Sequence, residues 1–581
     1  MKHKKEFVAL LIFFVISLMF VYPVFRNINN LGIHDWDQYL LYNGVPRWTI
    51  LEFKQLPLWN PYYCGGNALL ANPQSSFLNP LFIFVLIFGE VIGLKISIFI
   101  YLIIGLFGMF LLARYLKISL ISSYLSAFLF MLSGSYAMHL SVGHTTWMQL
   151  ALIPYVFLFY LKGLKEIKYI FLSALFMAFI FLGGFIHLLP FIAFFLIFYS
   201  VLATFKNWKK YRMKYLKNLI IIFLLFIFLS SIKLIPMLYF TQEYSFEKMD
   251  VQDNSFKKMI EALTFRDVES RMDYMYDYDL NGFGVAWGWH EYHSYIGLLP
   301  LILFLVGFVF LFRKEWPLVS IAIIFFLMAL GDNAVINIWE LLRQLPFISN
   351  LHGPSRILIM FVFPVSLIIG KFTSIFENKK KLFKFRSRKF NIFGLILILF
   401  VLSIFVDLFL VNASLFKHAF VVKPINIEKQ EFTQITDNGN KAQYPTFLAN
   451  QGIVNCYERV KPKLQAIPKF DSKTGTVYTN YIGEAYILEN NKPQQITYFS
   501  PNKVKIKTNE SGTLVLNQNY VNGWRIKNNV IKNVNGLIGA EVEKDKEVVF
   551  YYLPISFVFG SIISIISLIF SMILFFKFKN K

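Results

Sequence analysis

The chain is short of acids, of cysteine and of charge in general. Asp and Glu number 34 against 57 Lys and Arg, and charged residues fill 16% of the 581 positions. Ordinary soluble domains carry about 25%, so a water-facing surface of this size is hard to build from this composition. Cysteine occurs twice, as Cys64 and Cys456. With no CxxC pair and no Cys/His cluster, nothing argues for a zinc site. Nothing in the cysteine spacing demands a bridge either, so two free thiols on the oxidising side are expected, with a disulfide as the alternative. A small-residue cleavage site is missing after the basic start and the apolar run Phe7 to Tyr22; Pro23 and Arg26 follow instead. An uncleaved first helix fits better than a signal peptide.

What the chain does have is apolar sequence in long unbroken runs. Hydrophobic residues make up 56%, phenylalanine alone contributes 66, and the mean hydropathy is +0.53. A run of about 20 such residues crosses the hydrocarbon core as a helix. The net charge of +23 would point to nucleic acid on a soluble protein. Here Lys and Arg gather in short segments between apolar runs, which marks cytoplasmic loops, so no nucleic-acid partner is expected. The N-terminal KHKK, residues 206–217, Arg313-Lys314, residues 379–389 and the final KFKNK are these anchors.

Working outward from them gives a mainly α, polytopic membrane protein of about twelve helices. They are expected near 7–25, 94–113, 119–138, 145–161, 168–186, 187–205, 218–238, 294–312, 316–331, 353–371, 391–410 and 554–576. The apolar stretch 77–92, with Pro80 and Gly89, reads as re-entrant or interfacial. Three domains follow: a transmembrane domain over 1–411 with outer loops 26–92 and 241–293, an extracytoplasmic domain over 412–551, and a final helix and cytoplasmic tail over 552–581. The 412–551 insert alternates apolar and polar residues, as in Lys503-Val-Lys-Ile-Lys507, and carries Asn522-Gly523 and Asn535-Gly536 turn signals. A β-sandwich is the expected fold.

On this weave the unusual polar residues fall on the outer side. His34, Asp35, Asp37, Gln38 and Arg47 lie in the first outer loop. His139 and His144 lie at the next outer turn, His187 at another, and His290, Glu291 and His293 before the eighth helix. Lys233 and Asp407 sit near outer helix ends, and His352 and Arg356 open the tenth helix. Ionisable groups at membrane depth are costly unless paired or facing water, so this set predicts a polar cavity on the outer leaflet. Its lining is expected to include His34, Gln38, His144, His187, His290, Glu291 and His352. The pair in His34-Asp-Trp-Asp-Gln38 is able to share a divalent cation or supply a general base. Trp36, Trp59, Trp287 and Trp289 are expected in the interfacial aromatic belt.

The first loop continues Gln55-Leu-Pro-Leu-Trp-Asn-Pro-Tyr-Tyr-Cys-Gly-Gly-Asn67, then Leu70-Ala-Asn-Pro-Gln-Ser75 and Asn79-Pro80. This run resembles the first-loop signature of the bacterial YfhO-like membrane proteins, a branch of the GT-C glycosyltransferases. Tyr295 to Leu301, Ala329-Leu-Gly-Asp332, Leu345-Pro346, Pro354-Ser-Arg356 and the strands from Gly512 to Tyr551 are similar to later segments of that family, in the same order.

The resemblance implies a membrane enzyme that takes a sugar from a polyprenyl-phosphate carrier on the outer face, using an acid of the first loop. The acceptor would be an extracytoplasmic glycan, polymer or lipid. Asp37 is the first choice for the base and Asp35 the second. Arg356, then Lys233 and Arg47, are the expected partners of the donor phosphate. A metal-free base serves as well as a divalent cation held by Asp35 and Asp37. A transporter or flippase of lipid-linked saccharides is the alternative. It calls for midplane polar residues and often internal symmetry, and the sequence has neither. A non-catalytic scaffold is the third reading.

Overall fold

The computed structural model describes residues 2–243, 245–246, 254–268, 270, 288–345, 348, 351, 353–377, 382–385, 388–424, 426–437, 443–456, 460–461, 465–527 and 529–577. His352, Trp287, Pro346 and much of the 241–293 loop lie outside these residues.

The apolar runs form a membrane protein of helices with a β-sheet region before the last one. Among the described residues seven helices are long and apolar enough to cross a bilayer: Phe82–Tyr115, Leu120–Ser141, Leu189–Lys206, Lys214–Thr241, Pro354–Glu377, Gly394–Ala419 and Ile555–Lys577. The expected twelve are not confirmed among the described residues, where several runs are short or broken. Lys168–Leu182 has 15 residues, and Ile153–Gly163 has 11 and follows the 3-10 segment Thr145–Leu152. At about 1.5 Å per residue the latter is too short to span. The runs near 294–312 and 316–331 join as Leu298–Ala329 across a break at Glu315, just before Pro317. The 77–92 stretch is helical from Phe82 and meets the next helix at Gly89 (φ 85°, ψ 164°), a backbone state that suits only glycine.

Burial sorts the spans by position. In Pro354–Glu377, 94% of the apolar window is buried inside the protein, against 17% in Ile555–Lys577. The first is the central helix. The second offers its apolar side chains to lipid, which solvates them as well as a core would.

The β region pairs two antiparallel sheets. One has five strands, in the order Lys492–Pro493, Ala485–Ile487, Gly512–Asn519, Leu537–Val542 and Lys532–Val534. The other has four, in the order Gln495–Ser500, Lys503–Lys507, Glu547–Tyr552 and Trp524–Ile526. Ile487, Leu514, Leu516 and Ile538 of the first share one core with Val504, Ile506, Val548 and Phe550 of the second. The alternation at 503–507 does what its period of two requires: Val504 and Ile506 are buried and the lysines are not.

The first loop is stitched into this sandwich. Trp59 enters the sandwich core, its ring 5.2 Å from that of Trp524 and 4.8 Å from that of Tyr552. Its indole N–H donates to Gln518 (2.6 Å), and Asn502 accepts from the backbone of Leu58 and Trp59. Cys64 and Cys456 form a disulfide across 392 positions. The expectation of two free thiols is therefore corrected. Tertiary docking brings the two Cα atoms to 4.8 Å, inside the bridging range, and spacing along the chain carries no trace of that.

Candidate active site

Asp35 and Asp37 flank the start of the helix Trp36–Leu51. The segment before it is pressed onto the turn that ends the helix Gly134–Ser141. Asp35 N–H donates to Val142 O (3.0 Å), and the buried indole of Trp36 donates to Leu140 O (2.9 Å). The approach requires Gly143, which sits at φ 102°. A Cβ there would collide with the backbone of Asp35 and Trp36. Sequence reasoning passed over Gly143. Its one visible signal is a glycine between two histidine-bearing segments.

This contact brings the Asp35 carboxylate to His144, Oδ2 to Nε2, at 3.1 Å. His144 Nδ1 meets His139 Nδ1 at 2.8 Å, and the His139 ring stacks on Trp147 at 3.3 Å between centroids. One Nδ1 of the two must carry the proton that joins them. Burial pushes the His144 imidazole below its ordinary pKa, and the hydrogen bond and charge of Asp35 oppose this only in part. A neutral His144 that shares Nδ1 with His139 and keeps N–H on Nε2 points its donor at Asp35.

The second half of the site comes from two later segments. His290 and Glu291 lie on the one-turn 3-10 segment Trp289–Glu291. Gly134 N–H donates to Tyr295 O and Ser294 N–H to Ala262 O, both at 3.0 Å, and these bonds hold the segment that follows the turn. Arg356 lies on Pro354–Ile357, just after Gly353 (φ 67°). Its Nε and Nη2 both donate to the Glu291 carboxylate, and His290 Nε2 lies 3.2 Å from the same group. Burial alone would raise the Glu291 pKa. The Arg356 guanidinium, helped by His290, outweighs burial and holds it well below the usual carboxylate range. The His290 and His144 rings are 5.5 Å apart, edge to face. Arg356 also feels the charge of Asp35.

Asp35, His144, His290, Glu291 and Arg356 are thus brought together from four stretches of sequence. The other expected site residues have these surroundings. Asp37 accepts from the backbone N–H groups of Gln443 (2.7 Å) and Tyr444 (3.0 Å), capping the short helix Gln443–Leu448. Arg47 faces Glu90 at 3.7 Å, and Glu90 also accepts from the Tyr444 hydroxyl at 2.7 Å. Lys233 is buried and donates to the carbonyls of Pro73 (2.9 Å) and Ser75 (2.6 Å), so it holds the first loop in place. Gln38 donates to the Tyr42 hydroxyl at 2.9 Å. His34 is half-buried at φ 54°, one residue before Asp35, and His187 is half-buried in the turn between two helices.

The two aspartates have different partners. One turns to histidine and the other to a helix end. Among the described residues no three His, Cys, Asp or Glu side chains converge as metal ligands. Sequence reasoning also missed the links of Glu90 and Tyr444 to the first loop. No local pattern marks them, because they lie 354 positions apart.

No family model matches the chain, and no curated protein matches it either. Four solved chains match. Among them is a single-particle cryo-EM structure of the arabinofuranosyltransferase AftD from Mycobacteria, at 13% identity and a TM-score of 0.47. The match covers 76% of this chain and 31% of that one, so this chain spans about a third of that protein's length.

Proposed function

We propose that this protein is a membrane glycosyltransferase. It moves a sugar from a polyprenyl-phosphate donor to an extracytoplasmic glycan, polymer or lipid, with Asp35 as the base. The observation that carries this reading is the cluster of a partly exposed carboxylate, two linked imidazoles and a buried Arg–Glu pair at the start of the first outer loop. The first-loop run that resembles the YfhO-like GT-C family supports it.

Asp35 suits the base better than Asp37. Its carboxylate is 19% exposed and bonded to an imidazole, whereas both Asp37 oxygens accept backbone N–H groups. In the proposed step Asp35 takes the proton of an acceptor hydroxyl as that oxygen bonds to the sugar's anomeric carbon. The bond from that carbon to the carrier phosphate breaks, and polyprenyl phosphate leaves with the electron pair. His144 and His139 hold the carboxylate in place. Arg356 spends Nε and Nη2 on Glu291, which aims the rest of its fork; among the described residues Nη1 has no partner. The leaving phosphate is the ligand that such a guanidinium fits.

The orientation belongs to the same proposal. Basic segments such as 206–217 favour the cytoplasm, and the Cys64–Cys456 bridge favours an oxidising compartment for the first loop and the sandwich. Both support an outer-side position for the cluster.

The test is sugar transfer in vitro from polyprenyl-phosphate-linked sugars, comparing wild type with Asp35→Asn and Asp37→Asn. Loss in Asp35→Asn with retention in Asp37→Asn is the expected outcome. Equal transfer by all three overturns the base, and no transfer by the wild type from any such donor overturns the function.

A further inference from the structure

A cavity of about 420 Å³ lies away from the Asp35 cluster. It opens on the face of the five-stranded sheet that points away from the sandwich core. That volume is within the range of small-ligand sites, roughly 300 to 1,000 Å³. Tyr486 and Leu537 of the sheet supply a buried apolar floor. Tyr478 is half-buried, and Gln465, Asn480 and Asn535 are exposed around the rim.

The lining is chemically selective. It has tyrosine rings, hydroxyls and carboxamides, and no Lys, Arg, His, Asp or Glu among its described residues. Without a cation it suits neither a phosphate nor a nucleotide. Its polar rim does not suit a lipid chain. Carboxamides donate and accept at once, and so do sugar hydroxyls. A tyrosine face matches the C–H face of a sugar ring and adds a polar tip.

The walls are built before any ligand arrives. Asn517 and Asn519 accept from the backbone of Gln465, Ala466 and Ile467 at 2.8 to 3.1 Å, pinning one wall. The adjoining rim is the turn Asn535-Gly536, at φ 51° and 87°, which packs against the Gln465 side chain and is held by Asn533 (2.7 Å) and by Tyr520 N–H on Gly536 O (2.7 Å). Asn519 also donates to Cys64 O and gives its N–H to Gly65 O. The cavity wall and the first outer loop are therefore fastened through one residue.

We infer that this cavity binds a neutral oligosaccharide, recognised through Tyr478, Tyr486 and the carboxamides of Gln465, Asn480 and Asn535. Binding stands on the cavity alone. That the bound chain is the acceptor rests on the glycosyltransferase reading.

The test is equilibrium binding to the full-length protein in detergent, by calorimetry, with maltotetraose, chitotetraose and mannotetraose as probes and no donor present. At least one probe is expected to bind, and Tyr478→Ala and Asn480→Ala are each expected to weaken it about tenfold or more. Both side chains lie outside the sandwich core, so an unchanged melting temperature separates lost recognition from lost folding. Failure of all three probes at millimolar concentration overturns the inference. So does binding that neither variant weakens. Asp35→Asn is expected to bind the probe as wild type does. If transfer is never observed and the probe still binds, the enzymatic reading falls and the saccharide site stands.

Discussion

Asp35 and Asp37 flank the same helix start and serve different regions of the molecule. Asp35 turns into the membrane body, where the His144 imidazole meets it. Asp37 turns to the β region, where it caps a helix. The two regions also treat a buried carboxylate in opposite ways. Glu291 in the body is held ionised by a guanidinium. Glu484 in the sandwich accepts from Gln434 N–H (2.7 Å) and the Tyr481 hydroxyl (3.0 Å). Burial, only partly offset by those bonds, pushes it up to about 7. The body keeps fixed charges next to a partly exposed acid, which suits work on a charged donor. The sandwich favours the uncharged form of its buried acid, which suits scaffolding and recognition of a neutral ligand.

The sharpest way to break this comparison is to exchange the roles of the aspartates. Asp35→Asn is expected to lower the rate of sugar transfer by about 10²- to 10⁴-fold, the usual share of a general base. Single-turnover rates check it. A second break targets the fixed charges. Glu291→Gln leaves Arg356 buried without its counter-charge, which costs about 3 to 5 kcal/mol. A lower melting temperature in detergent is the readout, and an unchanged one would mean that the guanidinium finds another partner.

Removing the staple between the regions comes next. Cys64→Ser or Cys456→Ser is expected to cost about 2 to 4 kcal/mol. In the wild type, maleimide should label neither cysteine until the protein is unfolded and reduced. Asp37→Ala should cost less, about 1 kcal/mol, the typical value of a lost helix cap. Faster limited proteolysis around residues 443–456 would report it, with transfer kept within about tenfold of wild type.

The mildest effect concerns Glu484. Its folded pKa lies above the ordinary 4.5, so the folded state holds the proton more tightly than the unfolded chain. The sandwich therefore has this contribution in full below about 4.5 and loses it as pH rises through about 7. Glu484→Gln keeps an acceptor for Gln434 and Tyr481 and should flatten that slope in melting scans between those pH values.

Much of the architecture is legible from local pattern. Apolar runs longer than a bilayer is thick mark spans, and alternation at 503–507 marks a strand that is buried on one face. The apolar all-round helices could not be counted the same way. A broken or short run, such as 145–163, is as apolar as a spanning one, and only packing shows where it stops. The site was half legible. The histidines, Glu291 and Arg356 stood out as ionisable groups in an apolar chain. Which aspartate joins them did not, because residues two apart at a helix start point in different directions and meet different neighbours.

By itself the sequence determined the solvent of this protein and the alternation of its sandwich. Those follow from transfer free energies and from the periods of helix and strand, which act over a few neighbouring residues. The tertiary structure alone decided the Cys64–Cys456 bridge, the turning of Asp37 to Tyr444, and the meeting of Asp35 with His144 over Gly143. Each depends on surfaces that are close only after the whole chain has packed.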